Sequence, residues 1–553
     1  MQQWDITIGQ IYRNLTHVKK FQMAVTRPRQ VQEEKLLAMV KANSDTLFGR
    51  RHNFAAIKSI ADYQRFVPPA EYEDLRPYIE ASMRGERAQL TATQPFMYAT
   101  TSGTTSLPKF VPITKEHIDD YTHAFQLHNY QIIEDHPLAA IGKFFIVSSD
   151  DQVSVAQDGS PCGAISGLLN RKQSPIVKAH FALPYEVCKI KDVNSKYYMM
   201  LRAALVQDVT VMLCCNPSSL LLLAEQLAQN ADSLIKDIFD GTINSAFLPE
   251  AHLRGAFDRY TGNFKERARL LAKVVEKEGV LKPKDAWPRL ALLSCWKGGP
   301  MPFYLEKLPE YYGDLPVRDF GYMASEGRGT VPMTSEGAGG VAALTSHFFE
   351  FVPEDQMEKS TKSYLTLDEL ELGRRYFIHF TTRAGLYRYN INDLVEVIDF
   401  YQQTPVLKFV RKGAGVSSIT GEKLTEDQVN VALCFAVNQL NLHELQYFTA
   451  AVELDQPPYY ACYAELRGRL SEPVKNEFLR IFDQSLQFQN SEYQDKRHTK
   501  RLGMPTLEIV PPGTYARLRQ QRVQEGAPEA QVKIPLLSCR TDFGPQLLAL
   551  SAR

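Results

Sequence analysis

Neither sign of charge dominates this chain. Lys and Arg number 63 together, and so do Asp and Glu, over 553 residues. Binding through a nucleic-acid backbone needs a basic surface, so nucleic acid is not an expected partner. Long apolar runs are also missing. The longest, around Leu220 to Leu223, is far short of the ~20 residues of a membrane span. The first residues, MQQWDITIGQIYRNLTHVKK, have no apolar core behind their first charges and do not read as a secretory signal. The 8 cysteines never form a C-x-x-C pair, so neither a zinc site nor a redox motif is indicated. The 12 histidines have no metal-ligand spacing; His117, His123 and His128 share a helical stretch at uneven intervals. Internal repeats and low-complexity tracts are lacking. The expectation is a cytoplasmic protein whose partners are neither membrane nor nucleic acid.

What is present is an alternation of helices and short buried strands. Residues 30–85 read as helical, with Leu36, Leu37 and Val40 on an apolar face and Glu33, Glu34 and Lys35 on a polar one. Further on, Lys196–Val206 reads as a helix and Val209–Cys215 as a strand. Asn216-Pro-Ser-Ser219 stops that strand and caps a helix over Leu220–Leu227. Lys143–Val147 and Leu290–Cys295 are two more buried strands. This rhythm predicts an α/β fold with largely parallel sheets flanked by helices. Ligands of such sheets sit at the C-terminal ends of the strands. The pattern changes near Arg411-Lys-Gly413. Beyond it come a capping box at Thr425-Glu-Asp-Gln428, strands over Leu445–Leu454 and Tyr459–Leu466, and a helix opened by Ser471-Glu-Pro473 with Ser as cap. The expected division is a large N-terminal domain at 1–410 and a smaller, mobile α+β domain at 411–553.

The densest chemical signal is Tyr98-Ala-Thr-Thr-Ser-Gly-Thr-Thr-Ser-Leu-Pro-Lys109. Gly103 permits a tight turn that exposes backbone N–H groups, and the hydroxyls of Thr101, Ser102, Thr104 and Thr105 add donors. Lys109 supplies a compact positive charge. A solvated Ser/Thr turn would use the same residue types, but so much donor capacity beside a Lys favours a polyphosphate loop. It is not a Walker loop, because no second Gly precedes Lys109 and Phe110 follows it. Nor is it a nucleophile elbow, because Ser102 and Ser166 lack the G-x-S-x-G frame.

Thr101 to Lys109 resembles the phosphate-binding signature of the adenylate-forming superfamily, with Ser106 where Gly is usual. The flanks Thr46-Leu-Phe-Gly49, Val67-Pro-Pro-Ala-Glu-Tyr-Glu-Asp74, Pro77-Tyr-Ile79 and Phe110-Val-Pro-Ile-Thr114 resemble the plant auxin-responsive Gretchen Hagen family and its bacterial relatives, which are acyl-acid amido synthetases. The resemblance runs from about residue 30 to the C-terminus. It implies ATP and Mg²⁺ as cofactors and a small carboxylic acid and an amine, an amino acid first among amines, as substrates.

Two further motifs follow in the family's order. Phe320-Gly-Tyr-Met-Ala-Ser-Glu326 resembles the second, which implies Gly321, Tyr322 and Ser325 beside the nucleotide and Glu326 on Mg²⁺. One carboxylate suffices, because Mg²⁺ takes its other ligands from phosphate and water; a Glu capping a turn is the plainer alternative. Leu386-Tyr-Arg-Tyr-Asn-Ile-Asn-Asp-Leu394 resembles the third, which implies Asp393 on the ribose hydroxyls, with Asn390 and Asn392 in place of an Arg and a Gly. Cys295-Trp-Lys-Gly-Gly-Pro300 ends a strand, and its Gly298 and Gly299 suit either a close approach to adenine or an ordinary turn. Ser417 to Glu426 resembles the start of the family's C-terminal domain, and Gln531-Val-Lys-Ile-Pro535 resembles the segment carrying a catalytic lysine. Lys533 matches that lysine, or is a solvated surface lysine. Acid-pocket residues are expected within 121–166 and 330–351, with Asp150, Asp151 and Ser166 as first candidates. Two other readings remain open: an acyl-CoA ligase, and a nucleotide- or acid-binding protein without catalysis.

Overall fold

An apolar run short enough for a strand and bounded by a polar cap folds as one when both its faces are covered. Val209–Leu213 does so in the computed structural model, which describes residues 2–101, 109–299, 301–357, 359, 361–413, 415–442, 444–466, 468, 470–524 and 534–551. It lies inside a four-stranded sheet ordered Lys143–Ile146, Val209–Leu213, Leu292–Cys295, Val317–Asp319, with every neighbour parallel. All of Leu292–Cys295 is buried, as expected of a strand with helices on both faces. The helix before Val209 spans Val193–Ala204, with Asp192 accepting from the Ser195 N–H at 2.7 Å. The helix after it spans Pro217–Gln229, and Asn216 Oδ1 accepts from the Ser218 N–H at 2.9 Å. Residues 30–85 form the helices Pro28–Ala42, Leu47–Arg51, Ile60–Phe66 and Tyr72–Met83.

Two further sheets hold the candidate motifs. One is ordered Lys109–Ile113, Met97–Thr101, Pro161–Gly163, Ser154–Val155. Met97–Thr101 and Pro161–Gly163 are parallel, so Thr101 and Gly163 end at the same edge. From Gly163 the chain enters the helix Ile165–Arg171, and after Ile113 it enters the long helix Lys115–Asp135, capped by Thr114. The other sheet has six strands, ordered Thr330–Val331, Gly340–Ala342, Thr404–Lys412, Tyr389–Tyr401, Arg375–Thr381, Phe348–Pro353, and its described pairings are antiparallel. Its core rows are aromatic: Phe348, Phe349, Phe351, Phe380 and Tyr389 are buried together.

The chain divides into two compact units. One is formed by Met1–Thr101 and Phe110–Arg411, and the other is built on Lys412–Arg553. In the second, Thr506–Val510, Tyr459–Leu466, Leu445–Glu453 and Leu537–Ser538 form one sheet. The helices Glu426–Leu440 and Glu472–Gln489 pack against each other. The capping box Thr425–Gln428 is formed in both directions. Ser471 does not cap as expected: it stands at the cap position with Pro473 in the first turn, but its side chain makes no capping bond. Pro473 and the dipole of the first turn start that helix without it. No described helix is long and apolar enough to cross a membrane. All eight cysteines carry free thiols.

Candidate active site

The chain leaves the parallel sheet at Asp319 and turns through Gly321, whose φ is +85°. A Cβ there would stand 2.8 Å from Pro332 Cδ and 2.9 Å from the Thr330 carbonyl, so glycine is required twice, by conformation and by space. The Tyr322 N–H then donates to Thr330 Oγ1 at 2.8 Å. Met323–Ala324 and Gly327–Arg328 pair as a hairpin with Ser325 and Glu326 at its tip. Tyr121 of the long helix donates to the Ala324 carbonyl at 3.1 Å and fixes the hairpin's direction. His117, one turn earlier on that helix, faces the Ser325 backbone, and burial pushes its imidazole down to about 4.

Asp393 reaches the same place from the six-stranded sheet. Arg375–Thr381 and Tyr389–Tyr401 pair regularly on both sides of a bulge, in which Ile391, Asn392 and Asp393 face Ile378 alone. Bulges bend a strand and re-aim its side chains. Asn392 carries the left-handed step, with φ +59°, a conformation Asn tolerates better than most residues do. Its N–H donates to Asn390 Oδ1 at 2.9 Å, and Asn390 Nδ2 donates to Glu71 at 2.7 Å. So these two residues, which depart from the superfamily's pattern, build the turn that presents Asp393.

Tyr322 joins the two approaches. Its hydroxyl donates to Asp393 Oδ2 at 2.7 Å. Burial, then Asp393, then Glu326 push the Tyr322 phenol far up, so it stays a donor. Burial and Glu326, with Asp393 adding to them, do the same at Tyr389. Glu326 and Asp393 thus bear on the same two phenols from distant parts of the chain. Glu326 is 7% exposed, and no hydrogen bond or ion pair engages its carboxylate among the described residues.

Gly298 and Gly299 follow the third strand of the parallel sheet. Cβ atoms there would stand 3.0 Å from the Phe409 carbonyl and 3.2 Å from its ring. Phe409 in turn stacks on Tyr322 at 5.8 Å with 12° between the ring planes. The glycine turn, Phe409 and Tyr322 are therefore layered. Thr101 ends its strand and Lys109 begins the next. Ser102, Gly103, Thr104, Thr105, Ser106 and Lys533 lie outside the described residues.

A cavity of about 170 Å³ opens beside the hairpin, walled by Phe125, Ile132, Phe144, Val211, Phe320 and Met323 among others. Ser166 is in its wall, and its hydroxyl accepts from the Ser149 N–H at 3.2 Å. Asp151 is not in the wall: it is wholly buried against Arg171, at 2.7 Å, and the Tyr185 hydroxyl. Asp150 folds back onto the Gln152 N–H at 3.0 Å and is not in the wall either. Arg328 was not singled out from sequence. Its buried guanidinium lies 4.3 Å from the Phe125 ring and donates to the Phe320 carbonyl at 2.8 Å. No pattern of spacing distinguishes it from a solvated Arg.

Models of the GH3 family N-terminal, central and C-terminal domains match residues 17–317, 340–412 and 427–542. A jasmonoyl–L-amino acid synthetase of Nicotiana attenuata is 25% identical over 94% of this chain and 92% of its own length. An indole-3-acetic acid-amido synthetase of Arabidopsis thaliana is 26% identical over 91% of this chain and 88% of its own. The solved structure of the GH3.15 acyl acid amido synthetase superposes with a TM-score of 0.65 at 22% identity, covering 96% of this chain and 95% of that one. With its three domain models in order along nearly the whole length, the chain belongs to the GH3 family.

Proposed function

We propose that this protein is an ATP-dependent acyl-acid amido synthetase. It adenylates a small carboxylic acid and passes the acyl group to an amine, an amino acid by the chemistry of its named relatives. The observation that carries the reading is the meeting of Tyr322, Glu326 and Asp393 beside an apolar cavity. A carboxylate is a poor electrophile because its charge repels nucleophiles. In the first step it attacks the α-phosphorus of ATP in line, the bond to pyrophosphate breaks, and an acyl-adenylate forms. In the second a neutral amine attacks the acyl carbonyl, loses a proton, and AMP leaves. The protein's part is positioning and charge stabilisation.

In this reading Thr101 to Thr105 and Lys109 hold the phosphates. Tyr322, layered on Phe409 beside Gly298 and Gly299, offers a flat wall to the adenine, and Gly321 and Ser325 shape that wall. Asp393 accepts from the ribose hydroxyls. Glu326, a buried carboxylate without a partner among the described residues, fits a Mg²⁺ ion that would offset phosphate charge. Lys533 is the catalytic lysine, carried by a C-terminal domain that begins near residue 411. The free thiols and balanced charge suit work in the cytoplasm.

AMP release measured with acid plus a panel of amino acids, and separately with coenzyme A, tests the reading. AMP with amino acids only is the expected result. Release with coenzyme A only would make it a thioester ligase, and ATP binding without AMP from any acid would make it a binding protein. Asp393→Ala is expected to weaken ATP binding by about 1.5–3 kcal/mol, the range for a lost bond to a charged group. Tyr322→Phe, which removes the same hydroxyl contact without the carboxylate, serves as its control in the calorimeter. Unchanged nucleotide affinity in Asp393→Ala would reject the ribose role.

A further inference from the structure

The cavity beside the hairpin has one charged side chain among its described wall residues, Arg13. It comes from the end of the N-terminal helix Gln2–Arg13, which packs against the long helix Lys115–Asp135. Arg13 Nε donates to Gln126 Oε1 at 2.8 Å and Nη1 donates to Gln10 Oε1 at 3.2 Å. Among the described residues no carboxylate pairs with it. Burial pushes its guanidinium below the ordinary value, and no acidic group offsets that cost. Asn129, one turn beyond Gln126 and also in the wall, has no hydrogen-bond partner for its carboxamide among the described residues. A half-buried cation with no carboxylate partner and a half-buried amide thus face the cavity together, and an anionic ligand group would give both an acceptor.

Their place along the helix says which part of a ligand they meet. The hairpin that holds Glu326 is pinned at Tyr121. A helix rises 1.5 Å per residue, so Gln126 and Asn129 stand roughly 8–12 Å beyond Tyr121 along the helix axis. Beyond them the wall is aliphatic and aromatic, with Ile132, Ile133, Ala139 and Phe144. With the reacting carboxylate beside Glu326 at the hairpin's tip, Arg13, bonded to Gln126, lies on the side of the acid's tail.

We propose that Arg13 selects the acid: the substrate is a hydrophobic carboxylic acid with a second anionic oxygen group on its tail, which Arg13 and Asn129 bind. This rests on the synthetase reading and names the substrate class of the same site. The reacting carboxylate is left to the adenylation machinery, and the second group stays unreacted.

The test is acid-dependent pyrophosphate exchange by the full chain, with straight-chain monocarboxylic acids and the α,ω-dicarboxylic acids of the same lengths. The wild type is expected to favour a dicarboxylic acid at one chain length. Arg13→Met should lower kcat/KM for that acid about ten- to hundredfold and leave the matching monoacid within about twofold. Arg13→Lys should keep the preference. Equal losses for both sets would mean that Arg13 serves the reacting carboxylate or only the fold, and a wild type indifferent to the second carboxylate would equally overturn the proposal. In those cases exchange with monoacids still stands and the synthetase reading survives. No exchange with any acid would remove that reading, and this inference with it.

Discussion

Glu326→Gln is expected to cut acid-dependent pyrophosphate exchange by about 10²–10³-fold, the range seen when one preorganised charge-stabilising contact is lost. The side chain keeps its length and shape, so the hairpin Met323–Arg328 has no reason to move. What goes is the negative charge at its tip. That charge is buried to 7% exposure and bonded to no described residue. An unpaired buried carboxylate costs stability, so its neutral isostere should melt at the same temperature or slightly higher. The two measurements therefore move in opposite directions if Glu326 serves a cation, and activity should need more Mg²⁺. A variant that loses several degrees of melting temperature along with its activity would mark Glu326 as a structural turn residue. Wild-type exchange would remove it from the mechanism.

Where local rules were enough, the sequence could be read. Val209–Leu213 and Leu292–Cys295 stand out because a parallel strand covered on both faces is a short, unbroken apolar run. Asn216 and Thr425 mark helix starts because a cap is a local bond between near neighbours. The six-stranded antiparallel sheet was harder. Phe348–Pro353 is buried at every position and still includes Glu350, which has no place in an apolar run until Arg388 is seen beside it. Neither residue shows in the sequence that the other neutralises it.

The candidate site divides in the same way. Tyr322, Glu326 and Asp393 could be named because their motifs are contiguous. How they meet could not. The bulge at Ile391–Asp393 exists only relative to the partner strand, and the layer of Gly299, Phe409 and Tyr322 joins three distant segments. The cavity wall is spread wider still, from Arg13 to Met323. Arg13 and Arg328 read as ordinary solvated arginines because a sequence records charge, whereas burial, and the lack of an ion pair among the described residues, appear only in the fold.

Arg388→Met is expected to destabilise the N-terminal unit by about 3–5 kcal/mol, the cost of leaving one member of a buried ion pair alone. The side chains of Arg388 and Glu350 are 3% and 1% exposed. Arg388 Nε lies 3.1 and 2.9 Å from the two Glu350 oxygens, and Nη1 donates to the carbonyls of Gln64 at 3.1 Å and Val67 at 2.8 Å. Its guanidinium also lies 4.3 Å from the centre of the Tyr364 ring. All of these contacts are made inside the protein and tie Arg388 to the fold, while its Nη2 is buried with no hydrogen-bond partner among the described residues. It sits at φ +47° five residues before Asp393, where the chain enters the bulged strand. Replacing Glu350 by Met as well removes the stranded carboxylate, so the double variant should recover most of the loss in denaturant unfolding. Its nucleotide affinity should then return with its stability. Were Arg388 a phosphate ligand instead, the double variant would regain its fold and remain unable to bind ATP.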